Sequence, residues 1–393
     1  MNTEKGVVKL RLFIKGGKVF LPNWKFSLKT LVVEGNIISD IIPDGCKIQN
    51  KDTVIDATGM IVTPGFIDVH VHGAIGKDTV DGTRESLHSM GKYFAGHGVT
   101  AYLPTVSTFT PELTMRAIEN VATCPQPEFG ARHLGIHVEG PFLNVQYRGA
   151  QQKGSIRVPE ESEYREWLNS GAVKLITIAP EVEKAVEFIE HGVRKGVQFA
   201  IGHSGASYEQ VIKAADSGLR QATHLYNGMQ GMHHRNPGTT GAILTDNRIF
   251  AQIIADGVHV HPAMVKLAVL AKGIHRIILI TDSIMGTGLD DGDYDYYGQK
   301  FTVRNNVART LEGGLAGSTL MMDKAVKNMV KFSGLSLTDV IPMATSVPAK
   351  AMGWNKQLGE LKKGADADFV LLNKDIEVEK TFVLGRQIYS KKN

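Results

Sequence analysis

Ile136-His137-Val138-Glu139-Gly140-Pro141 reads as a short apolar strand that stops on a carboxylate and turns at a Gly-Pro pair. An ionised carboxylate at the end of a buried strand is costly unless it is paired or holds a metal. The chain supplies partners of the right chemistry, each at the end of another apolar run: His70 and His72, His203, His224 and Asp282. His70 and His72 are two residues apart on one strand, so the pleat points both to the same side. Imidazole and carboxylate are the ligands expected for zinc, iron or a similar divalent ion.

Outward from that stretch, apolar runs recur at 66–73, 99–106, 133–139, 173–179, 197–203, 221–227, 249–256 and 276–282. Most are continuous, as in strands buried on both faces of a parallel sheet. Helical patterns at 83–95, 181–195, 207–217 and 262–272 separate them, the last with Pro262 in its first turn. Further helical stretches near 323–332 and 339–352 complete the alternation, which predicts a (β/α)8 TIM-like barrel. Short apolar runs with turn residues between them, such as Val32-Val33-Glu34-Gly35-Asn36, fill the first sixty or so residues. The same style returns at Asp368–Leu372 and Thr381–Gly385, so both chain ends are expected to meet in one small β-sandwich domain. The expected division is 1–62 and 357–393 for the small domain and 63–356 for the barrel. The loop at 285–300, with Tyr294, Tyr296 and Tyr297, is long enough to be a lid.

Composition narrows the function classes. Of 393 residues, 42% are hydrophobic and 21% charged, ordinary for a globular protein. A net charge of +4 gives no argument for nucleic acid or membrane surfaces as partners. The two cysteines, Cys46 and Cys124, offer neither a disulfide framework nor a thiolate zinc site, which fits a reducing cytosol. Met1 to Lys15 lacks the apolar core of a signal peptide, and no apolar run reaches a membrane span. The expected location is cytoplasmic.

Single histidines carry little weight in a chain with 14 of them. His97, His133, His191 and His275 read as surface or packing residues, and His137 as structural. The joint pattern is specific: His70, His72, Glu139, His203, His224 and Asp282 all fall at inferred strand ends, where barrel enzymes keep their active sites. No Gly-x-Ser-x-Gly elbow is present, so a serine nucleophile is not expected.

The chain resembles the N-acetylglucosamine-6-phosphate deacetylases of the amidohydrolase superfamily. The resemblance rests on Pro64-Gly65-Phe66-Ile67-Asp68-Val69-His70-Val71-His72-Gly73, on Gly135 to Asn144 around Glu139-Gly140-Pro141, and on Gly202-His203-Ser204. It continues through Thr223-His224-Leu225-Tyr226-Asn227-Gly228-Met229, Ala255 to Val260, Thr281-Asp282-Ser283 and the tail Gly359 to Asp368. These stretches span nearly the whole chain, and the Glu-Gly-Pro and His-Leu-Tyr-Asn motifs are specific to this family within the superfamily.

The resemblance implies hydrolysis of the acetamide of N-acetylglucosamine 6-phosphate, in amino-sugar catabolism, to acetate and glucosamine 6-phosphate. It implies one or two divalent ions, zinc or iron. Glu139, His203 and His224 match the site common to all members. His70 and His72 match a second site found in some, with Glu139 bridging and Asp282 joining it. Asp282 is the implied catalytic residue, base and then acid. Gln151, Asn227, Gly228, His259 and Arg235 match the sugar-phosphate pocket, and Arg235 is implied to reach the neighbouring active site of a homodimer. At Gln151 some members have a His that contacts the substrate; Gln donates a hydrogen bond but does not titrate. The rival readings are a deacetylase of N-acetylgalactosamine 6-phosphate, another amidohydrolase, or a non-catalytic paralogue, which should have lost ligands that this chain keeps.

Overall fold

The structure, a computed structural model, describes residues 11–46 and 52–392. Residues 1–10, most of the stretch read above for a signal peptide, lie outside the described residues. The centre is a ring of parallel strands: β1 (Phe66–Val71), β2 (Val99–Val106), β3 (Ile136–Glu139), β4 (Val173–Ile178), β5 (Gln198–Ile201), β6 (Gln221–Ala222), β7 (Phe250–Ile254) and β8 (Ile277–Ile280). Each pairs with the next in chain order. All eight residues of β2 are buried, as are all those of β1, β3, β7 and β8, which is why their sequences carry no polar alternation.

No ladder joins β8 back to β1. The seam is closed instead by single bonds at the strand ends. The Asp282 amide donates to the His70 carbonyl at 2.9 Å, and Thr281 Oγ1 donates to Asp68 Oδ2 at 2.6 Å. Two of the six metal-type residues therefore meet across the seam.

Helices surround the ring. The first, Arg84–Ala95, starts where the Thr83 side chain accepts the Ser86 amide. Tyr208–Asp216 starts with a reciprocal Ser207/Gln210 capping box, and Pro262–Lys272 has Pro in its first turn. The stretch expected to be one helix at 339–352 is broken into Leu337–Val340, a 3-10 turn at Ile341–Ala344 and Ser346–Ala351. Pro342 and Pro348 lack the amide that a continuous helix would need. Pro111–Thr123, Glu161–Asn169 and Gly238–Thr245 are helices that the sequence reading passed over.

Both chain ends build the second sheet. Ile61–Pro64 pairs antiparallel with Phe369–Leu372, so N- and C-terminal segments share one nine-stranded sheet. It curls around Val19, Leu31 and Leu371 and the stacked rings of Phe369 and Phe382, whose centroids are 4.4 Å apart. Arg132 ties barrel to sheet through Asp366 at 2.8 Å and Asp368 at 2.7 Å. The expected lid loop is instead a small antiparallel sheet of Gly292–Tyr296, Gln299–Arg304 and Val307–Thr310. Among the described residues no helix is long and apolar enough to cross a membrane.

Candidate metal centre and substrate cavity

Three of the six metal-type residues stand where the backbone turns left-handed: His203 at φ 49°, His224 at φ 32° and Asp282 at φ 51°. Non-glycine residues avoid this region, and each such position costs on the order of 1–3 kcal/mol. At β5, β6 and β8 the turn takes the chain out of the strand immediately past its last residues. The side chains gather over the mouth of the barrel as a result.

Glu139, at the end of β3, is the shared member. Its Oε1 lies 3.2 Å from His203 Nε2, 3.0 Å from His224 Nε2 and 3.5 Å from His70 Nε2. Its Oε2 lies 3.3 Å from His72 Nε2. Asp282 Oδ1 is 3.3 Å from His70 Nε2 and 3.2 Å from His72 Nε2. The six fall into two groups, Glu139–His203–His224 and His70–His72–Asp282, with ligand atoms within 4.8 Å of one another in each. All six are buried.

The donor chemistry of this cluster fits a cation. His203 Nδ1 faces the Tyr147 carbonyl at 2.9 Å, and His72 Nδ1 faces the Thr105 carbonyl at 3.1 Å. A carbonyl only accepts, so each Nδ1 carries the proton and each Nε2 presents a lone pair. His70 Nδ1 is 3.3 Å from Gln252 Oε1, and Gln252 Nε2 in turn donates to Gln221 Oε1 at 3.2 Å. Lone pairs thus converge on carboxylate oxygens, with His70 and His72 Nε2 only 3.2 Å apart and His203 and His224 Nε2 3.1 Å apart. Such an arrangement needs positive charge between the atoms. Burial works against ionising Glu139, but the rings of His70, His203 and His224 outweigh it and hold its carboxyl well below the usual range. For His72 too, burial opposes charge, yet Asp282 and Glu139 push its affinity for a second proton far up. A divalent ion satisfies the same demand.

Several partners in this cluster escape a reading of the sequence. Gln252 is the clearest, and it left a signal: a polar residue inside the fully buried run of β7. Ser107 Oγ, 3.0 Å from His72 Nδ1, left none. His137 packs as a structural residue, with Thr105 Oγ1 at 3.2 Å and Thr177 Oγ1 at 2.7 Å from its two nitrogens.

Over the cluster lies a cavity of about 810 Å³. Its lining includes His72, Glu139, His203, His224 and Asp282 on the floor, together with Gln151, Asn227, Gly228 and His259. Gly228 has φ 57°, and a Cβ there would come 2.9 Å from His203 Nδ1, so only glycine fits. His259 is oriented by Asp256, whose Oδ2 is 2.6 Å from its Nδ1, which leaves Nε2 for the cavity. The small antiparallel sheet also lines the cavity, with Tyr296, Lys300 and Phe301. It is pinned to the floor where Tyr296 Oη donates to Asp78 Oδ1 at 2.7 Å; burial pushes the Asp78 carboxyl up to about 7. Arg148 also lines the cavity, and nothing in its sequence context singled it out. Gln151 is buried with both ends of its amide already bonded inside the protein. Arg235 is exposed and does not line the cavity of its own chain.

A profile of the amidohydrolase family matches residues 61–388. The chain is 36% identical over 359 residues to the N-acetylgalactosamine-6-phosphate deacetylase of Escherichia coli O157:H7, covering 91% of this chain and 93% of that one. It is 37% identical over 331 residues to the N-acetylglucosamine-6-phosphate deacetylase of Bacillus subtilis (strain 168), covering 83% and 84%. Among solved structures, a mutant of the Mycobacterium smegmatis N-acetyl-D-glucosamine-6-phosphate deacetylase in complex with N-acetyl-D-glucosamine-6-phosphate superposes with a TM-score of 0.88 at 29% identity. That match covers 97% of this chain and 100% of the other.

Proposed function

The chain belongs to the amidohydrolase family, and from that premise we propose that it is a metal-dependent deacetylase of N-acetylglucosamine 6-phosphate, releasing acetate and glucosamine 6-phosphate. The observation that carries this reading is a floor of two ligand-type groups, with Glu139 close to both, in one cavity with His259, Asn227 and Gly228. Zinc or iron suits the imidazole and carboxylate donors. A bound divalent ion lowers the pKa of its water to about 7 and polarises the amide carbonyl. Glu139, His203 and His224 would hold one ion, and His70, His72 and Asp282 would hold a second.

The chain's own groups do the remaining work. Asp282, on the cavity floor, accepts the proton of the attacking water and returns it to the amine nitrogen, which leaves poorly unless protonated. His259 Nε2, Asn227 and the backbone at Gly228 receive the sugar phosphate. Arg235 completes that pocket from the partner chain of a two-fold dimer. Support for this comes from its exposure and from exposed apolar residues elsewhere on the same chain, which suit a subunit interface. Met264, Leu267 and Leu270 (73% exposed) form an outward stripe on the helix Pro262–Lys272, and Met232 and Val258 are exposed as well.

Acetate release from N-acetylglucosamine 6-phosphate tests the reading. The expected result is turnover that a chelator abolishes and added zinc or iron restores. The relative named for the galactosamine epimer is about as similar as the one named for the glucosamine epimer, so both substrates belong in the assay. A higher kcat/KM for the galacto sugar would reassign the substrate.

The ion count has its own test. Joint replacement His70→Asn and His72→Asn is expected to lower bound metal from two ions per chain to one, counted by mass spectrometry after reconstitution. The ion on Glu139, His203 and His224 stays. An unchanged count would show that these two rings only bond around a single ion.

A further inference from the structure

We propose that Gln151 is a positioning residue that divides Glu139 between the two ligand groups and so creates the place for the second ion. This rests on the two-ion reading above.

The amide of Gln151 can point only one way. The Thr108 backbone N–H donates to Gln151 Oε1 at 2.7 Å, and an N–H can pair only with the amide oxygen. The NH2 group therefore faces Glu139, with Nε2 2.7 Å from Oε2. The donor is neutral at every working pH and the acceptor is charged, so the bond is charge-assisted. The side chain is buried and cannot swing away. Thr108 also holds the base of Glu139, because its Oγ1 donates to the Glu139 carbonyl at 3.3 Å. Glu139 is thus clamped at both ends through one neighbouring segment.

The consequence lies in the last torsion of Glu139. A carboxylate rotates about that bond in a broad, shallow well. Left to itself, Glu139 could turn both oxygens toward His203 and His224 and chelate one ion. Gln151 removes that freedom. It keeps Oε2 on the side of His72, 3.3 Å from Nε2, while Oε1 stays with His203 and His224 at 3.2 and 3.0 Å and reaches His70 Nε2 only at 3.5 Å. Each group then keeps a Glu139 oxygen within reach, which a pair of ions would need.

A residue serving the substrate instead would change KM and leave the ions alone. The test is to titrate metal-free protein with cobalt(II), by calorimetry and by electron paramagnetic resonance, for the wild type, Gln151→Leu and Gln151→Met. Two variants of similar size guard against one failing to fold. Both are expected to keep the tight first ion, to bind the second about 10- to 100-fold more weakly, and to lose the magnetic coupling of a paired centre. Two ions bound at wild-type affinity by either folded variant, with only KM altered, would overturn the proposal. A single ion in the wild type would overturn the two-ion reading, and this proposal with it.

Discussion

Asp282→Asn is expected to lower kcat by roughly 10²-fold or more with substrate binding retained. Asp282 is placed by two strands at once: its amide bonds the His70 carbonyl at 2.9 Å, and its Oδ1 sits 3.2 Å from His72 Nε2. Burial raises its pKa, but His70 and His72 more than offset that and hold the carboxyl down at about 2. It is therefore a carboxylate at neutral pH, the ionised form a base needs, and it holds the proton only in passing from the water to the amine nitrogen. Asn has the same shape and keeps one oxygen toward His70 and His72, but its other end is an NH2 that can accept nothing. The variant separates two roles. A pure metal ligand would lose metal on substitution, and activity would fall with metal content. A proton carrier would keep its metal, bind substrate and turn over slowly. Metal content, substrate affinity and kcat measured on one preparation decide between them. Near-normal kcat across the pH range would defeat the assignment.

Legibility in the sequence followed the kind of force at work. Strands buried on both faces announce themselves, and β2 was read with the bounds it has, because every residue from Val99 to Val106 is packed. The run at 221–227 looked the same and was over-read. Only Gln221–Ala222 is strand, since the backbone turns left-handed at His224 and again at Tyr226 (φ 79°). Neither residue is a glycine, so no turn signal was present until Gly228. The six metal-type residues that the structure brings together were legible by chemical type. Their supports were not, because Thr105 acts through its carbonyl and Tyr147 through its own, and any residue has a carbonyl. The stretch at 285–300 reads as a loop because of its Gly and Asp content, yet Gly292–Tyr296 alternates exposed aspartates with half-buried tyrosines, the pattern of a half-buried strand. What Tyr296 meets is Asp78, far away in the chain, and no local pattern predicts that contact.

Arg235→Ala is expected to raise KM for the phosphorylated sugar by roughly 10- to 150-fold, the factor equivalent to a charge-assisted bond of about 1.5–3 kcal/mol, and to leave the unphosphorylated sugar nearly unaffected. A loop arginine is usually just solvated. This one lies in an exposed segment outside its own cavity, and among the described residues its Nη1 meets only His234 Nε2, at 2.8 Å. Guanidinium pairs with phosphate oxygens through two parallel bonds, so an exposed arginine outside its own cavity is suited to a phosphate held by another chain. In a two-fold dimer the contact is made twice, each site using His259 of one chain and Arg235 of its partner. Mixing subunits turns this geometry into a measurement. Arg235→Ala chains retain Asp282, and Asp282→Asn chains retain Arg235. A mixed dimer then holds one site with both groups intact, so activity on the phosphorylated sugar should partly return as subunits exchange. If mixed dimers form, as native mass spectrometry can verify, and no activity returns, Arg235 does not act across the interface.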